Sequence, residues 1–157
     1  MTSNWFECKV RYDKPNEAGI PAKVKEPYLV DAMSFTEAER RLIEEMRPRI
    51  SGEFVVEDIK RTRLAEVCEN IDANADRWYR AKLAFITLDE ESGKEKRSNN
   101  LMMVQAVDFA GALTAVNNAM KGTLQDWVIV SITETAILDV FRYRKMDAVA
   151  ATTPEEA

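Results

Sequence analysis

The 157 residues carry 22 basic and 27 acidic side chains, a net charge of −5, with two cysteines and no histidine. Without histidine there is no Ser-His-Asp or Cys-His machinery and no His-containing zinc site, and the acidic balance gives no global field for a phosphate backbone. Cys8 and Cys68 make no disulfide framework, no secretory leader opens the chain, and no apolar run reaches the roughly 18–20 residues of a membrane span, so a soluble cytoplasmic protein is expected.

Phe6, Cys8, Val10 and Tyr12 alternate with Trp5, Glu7, Lys9 and Arg11, the two-residue period of a strand with one buried face. A polar turn through Asp13–Gly19 leads to a second strand near Val24–Ala32, whose inner residues are Tyr28, Val30 and Ala32. Ser34 with Glu37 three positions on reads as a capping box. The helix behind it presents Phe35, Ala38, Leu42 and Met46 as one stripe, all expected in the core. A third strand follows near Phe54–Arg61 and a shorter fourth near Leu64–Val67.

The same order then recurs. Trp5-Phe6-Glu7-Cys8-Lys9-Val10 returns as Trp78-Tyr79-Arg80-Ala81-Lys82-Leu83, 78 − 5 = 73 positions later. A turn at Asp89–Gly93 separates the second pair of strands, Asp108 caps a helix with the stripe Phe109, Ala112, Leu113, Val116 and Met120, and strands follow near Trp127–Glu134 and Ile137–Phe141. The expected architecture is therefore α+β: an internal duplication of a β-β-α-β-β unit, with antiparallel sheet or sheets and two helices on one face. Residues 1–68 form the first repeat, 69–77 a linker and 78–141 the second repeat, sharing one core in a single globular domain, and 142–157 a disordered tail.

The strings WFECKVRYDK, VKEPYLVDAMSFTEAE, ISGEF, DRWYRAKLAFITLDEESGKEK and SITETAILDVF together resemble an uncharacterised family of short proteins from Bacteroides-type gut bacteria and their phages. The resemblance reaches to about Phe141 and implies a small intracellular protein of phage or mobile-element context. It implies no activity, cofactor or catalytic residue.

Strand parity supplies the candidate site. With Phe6, Cys8 and Val10 inward, Trp5, Lys9 and Arg11 point to the other face, and Trp78, Arg80 and Lys82 do so in the second half. An indole beside cations can stack on a base, cover a sheet edge or fill a homodimer interface. A non-enzymatic binding protein is expected, acting through this Trp/Lys face on a protein partner or by self-association, without cofactor, metal or membrane. Nucleic acid or nucleotide binding on the same face is the alternative. An enzyme built from carboxylates and lysines is the third reading, with Glu37, Glu39, Glu44 and Glu45 or Asp89, Glu90 and Glu91 as its acids, although exposed carboxylates lack the burial that tunes a pKa.

Overall fold

Period-two alternation and one helical stripe per half produce the elements in the order read from the sequence. The computed structural model describes residues 4–143, so the expected disordered tail falls, apart from Arg142 and Tyr143, outside the described residues. Strands β1 (Asn4–Pro15) and β2 (Pro21–Ala32) form a hairpin, followed by α1 (Phe35–Met46), β3 (Phe54–Thr62) and β4 (Glu66–Cys68). Then come the hairpin of β5 (Arg77–Leu88) and β6 (Glu95–Ala106), helix α2 (Phe109–Ala119), β7 (Asp126–Glu134) and β8 (Asp139–Phe141). Both helix starts are capped as expected. Ser34 Oγ accepts from the Glu37 N–H at 3.1 Å while Glu37 Oε1 accepts from the Met33 N–H, and Asp108 Oδ1 accepts from the Gly111 N–H at 2.8 Å.

The strands assemble into two four-stranded sheets, ordered β3-β1-β2-β8 and β4-β6-β5-β7. Within each, three strands are antiparallel and the fourth is parallel: β8 runs beside β2 through Tyr28–Val30, and β4 beside β6 through Met102–Val104. The expectation of purely antiparallel sheets is thus corrected. A three-residue strand has too little alternation to name its partner, and each fourth strand pairs with a hairpin from the other half of the chain.

The chain divides into two compact units, one made of residues up to Thr62 together with those from Asp139 on, the other of Arg63–Leu138. Each has its own buried cluster. In the first, Phe6, Cys8, Val10, Tyr28 and Val30 meet Ala38, Leu42 and Met46 of α1, and Phe141 of β8 joins them. In the second, Tyr79, Ala81, Leu83, Met102 and Val104 meet Ala112, Val116 and Met120. The boundaries differ from those read from the sequence because the contacts that define a unit include the strand lent by the other half. Of residues 69–77, read as linker, Arg77 already belongs to β5, while 69–76 carry no strand or helix and are organised by short polar turns such as Asp72 N–H to Asn70 Oδ1 at 2.9 Å.

Burial seals Cys8 and pushes its thiol up to about 12, with the carboxylates of Glu7 and Asp58 adding to the effect, so this cysteine is an apolar core residue.

The helix stripes are buried except at their first residues and at Leu113. Phe35 and Phe109, expected in the core, are 48% and 55% exposed. As the first residue of its helix, each lies at the margin of the core and touches it by an edge: Phe35 meets the Phe6 ring at 4.9 Å and Phe109 meets Tyr79 at 6.4 Å. Leu113 is also exposed. Leu42→Ala, which empties a fully buried site, is expected to cost about 2–5 kcal/mol in urea unfolding. Phe109→Ala should cost clearly less, and equal losses would contradict the burial described.

Candidate functional site

The face opposite the helix carries the residues singled out by parity. Trp5 pairs across to Asp31 and Thr62, Lys9 to Pro27 and Asp58, Arg11 to Lys25 and Val55, and none belongs to the helix-side cluster. Trp78, Arg80 and Lys82 occupy the same parity in β5. The expected exposure is corrected. Trp5 is only 7% exposed and Trp78 1%.

Local structure explains part of this. Around Trp5, the neighbouring Leu29 and Asp31 of β2 are buried on the same face, and the Arg142 guanidinium lies 5.3 Å from the indole. Arg142 and Tyr143, read as the start of a tail, are pinned: the Tyr143 N–H donates to Asp31 Oδ2 at 3.3 Å, and Arg41 stacks on the Tyr143 ring. Arg41 Nη1 also donates to the Asp31 carbonyl. Asp31 Oδ1 is buried with no hydrogen-bond partner among the described residues. Around Trp78, Ala84, Met103 and Val67 are buried on the same face, and the Trp78 carbonyl accepts from both the N–H and Oγ1 of Thr135 at 2.9 Å.

The cations do not form the expected repeated device either. Lys9 is exposed, whereas Arg80 and Lys82 are half-buried. Arg11 pairs with Glu57 at 3.6 Å, and Lys25 reaches the same carboxylate at 3.4 Å. At the corresponding places of the second unit stand Ala84, Val130 and Asn99, so one outer face is charged there and the other is not. Neither half presents an open indole beside a free cation, and stacking of a base on Trp5 or Trp78 is unavailable in this conformation.

Four of the seven carboxylates proposed as acids have structural partners. Glu37 closes the α1 cap, Glu44 pairs with Arg40 at 3.1 Å, and Glu45 lies 4.0 Å from Arg49. Asp89 caps its hairpin turn, where the N–H groups of Glu91 and Ser92 hold its carboxyl below the usual range.

Two features escaped the sequence reading. One is a polar cluster at the far end of the first sheet, where the Tyr12 and Tyr28 hydroxyls donate to the same Glu26 oxygen at 3.0 and 3.1 Å, with Lys14 at 3.8 Å from the other. Burial pushes both phenols upward, and the Glu26 carboxylate adds to that shift. The other is an open groove of about 510 Å³ between α1 and β3, lined by Glu39, Ile43, Arg47 and residues 52–56. Its one sequence signal was Ile43, an apolar residue off the main helix stripe.

Because both indoles are packed, Trp78→Ala is expected to cost about 3–5 kcal/mol in urea unfolding, as a large-to-small change at a sealed site. Lys9→Ala should be near neutral. An unchanged unfolding midpoint for Trp78→Ala would show that the indole is accessible after all.

Among the described residues no group of three or more acidic or sulfur ligands is placed to hold a metal, and no helix is long and apolar enough to cross a membrane. No curated protein matches the chain. A family model described as a domain of unknown function, DUF4494, matches residues 4–143, nearly the whole chain and the same span that carries both sheets, both helices and the packed indoles. The chain is a member of the DUF4494 family.

Proposed function

We propose that this protein is a non-enzymatic binding protein that works by contact with another protein, and that an extended segment of the partner lies in the groove between α1 and β3. The observation that carries the reading is the groove itself. Ile43, Phe54 and Val56 give it a half-buried apolar floor, Glu39, Arg47 and Glu53 give it a charged rim, and among the described residues β3 pairs with β1 alone. The free side of an edge strand offers backbone donors and acceptors to an added strand, and an apolar trough beside it takes alternate side chains.

The Trp/Lys face enters this reading in reduced form. In the first unit Lys9 and Arg11 are the groups it offers to a partner, beside the buried Trp5, and in the second unit Lys82 is, beside the buried Trp78. Burial of both rings favours a protein over a nucleotide. We also infer that the two halves arose by duplication of one β-β-α-β-β unit with its helix on the corresponding sheet face. Strand lengths of 12, 12, 9 and 3 residues in each half, and a register shift after Lys9 in β1 and after Lys82 in β5, support it. A phage or mobile-element setting in a bacterial cytoplasm rests on the resemblance of the sequence strings.

Capture experiments test the proposal. The immobilised full chain is expected to enrich a defined set of proteins from host lysate, and Ile43→Arg, with an unchanged circular dichroism spectrum, is expected to lose them. Retention of the same proteins by the variant would remove the groove. Enrichment of nucleic acid that is released steeply by salt would favour the other ligand class.

A further inference from the structure

We propose that the free edge of β7, in the second unit, is a self-pairing surface that joins two copies of this chain as a continuous antiparallel sheet. This edge is distinct from the α1–β3 groove. β7 pairs with β5 and with no other strand among the described residues. From Trp127 to Thr133 it carries no charge, no proline and no glycine. Val128 and Val130 are exposed, at 37% and 47%. A long, uncharged, β-branched edge is the kind that recruits another strand.

The register identifies the occupant. Trp127, Ile129 and Ile132 face the helix-side cluster, while Val128, Ser131 and Thr133 pair with outer-face residues of β5. Val130 is the extra residue of a bulge, since Lys82 pairs with Ser131 and Leu83 with Ile129. A second β7 laid antiparallel with Val130 opposite Ser131′ keeps helix-side residues opposite helix-side residues along the whole strand. Ile129 then meets Ile132′, Val128 meets Thr133′ and Trp127 meets Glu134′, each pair occurring twice about a two-fold axis. No like charges oppose one another, and closed two-fold pairing limits growth to a dimer.

The corresponding strand of the first unit shows what a guarded edge looks like. In β3 the same register sets Glu57 against Asp58′ twice, which brings four carboxylates to the axis, those of Glu57 already paired with Arg11 and Lys25 of their own chain. The two edges share backbone geometry and bulge, and they differ in charge. That difference selects β7 for a second copy and leaves β3 to another partner. A single strand edge buries less than a standard interface, so the dimer is expected to be weak and concentration-dependent.

Sedimentation of the full chain over a concentration series tests this. The wild type is expected to shift from monomer toward dimer. Val130→Lys and Val130→Glu should each weaken association by about a hundredfold through like charges at the axis, and an equimolar mixture of the two variants should recover it. Hydrogen exchange on the wild type alone supplies a second readout that needs no variant: amides of residues 126–134 should gain protection as concentration rises. A chain that stays monomeric to roughly 1 mM, beyond the range of a specific weak interface, would overturn the proposal. So would a dimer that survives both single variants, or one that forms without added protection in β7.

Discussion

The parallel docking of β8 on β2 is the interaction on which the first unit depends. Three residues, Asp139–Phe141, pair with Tyr28–Val30 at the end of the sheet opposite β3. Their hold is aromatic and ionic as well as hydrogen-bonded. Phe141 stacks on Tyr28 at 5.6 Å, Arg49 lies 4.8 Å from the Phe141 ring, and the same guanidinium reaches Asp139 at 3.0 Å. The stacked pair adds about 0.5–1.5 kcal/mol beyond area burial. Phe141 also closes the cluster formed by Phe6, Tyr28 and Leu42, so removing it would open the core itself. In the second unit β4 plays the corresponding part, with Val67 buried beside Met103.

This arrangement has a kinetic consequence as well as a structural one. The first unit cannot be completed until the chain has built Arg63–Leu138 and returned, and such long-range pairing slows folding because loop closure precedes its reward. It also decides which edges remain open. Each sheet ends on one side in the three-residue lent strand, β8 or β4, and on the other in a nine-residue strand, β3 or β7. The functional readings above concern the two long edges.

Much of the fold is legible because period and capping act locally. Phe6, Cys8 and Val10 named the inner face of β1, and Ser34 with Glu37 and Asp108 marked both helix starts. The partner of each fourth strand was not legible. Asp139–Phe141 and Glu66–Cys68 are too short for alternation to specify a neighbour, and their pairing is settled by Phe141 finding Tyr28 and Val67 finding Met103. Trp5 and Trp78 show a second limit: parity gives the face of a strand but says nothing of what else reaches that face. Phe35 and Phe109 show a third, since a helical stripe extends to the first turn even where the core beneath it ends. The uncharged run of β7 was visible in the sequence from the start, although only the sheet order shows that it forms an edge.

Hydrogen exchange on Phe141→Ala tests the lent strand most directly. In the wild type, amides of β8 should exchange slowly for so short a strand, and the variant should release both them and whichever amides of Tyr28–Val30 point toward β8, while β4 and the neighbouring Met102–Val104 stay protected. Fast exchange of β8 in the wild type, or a variant that leaves its protection unchanged, would contradict the account.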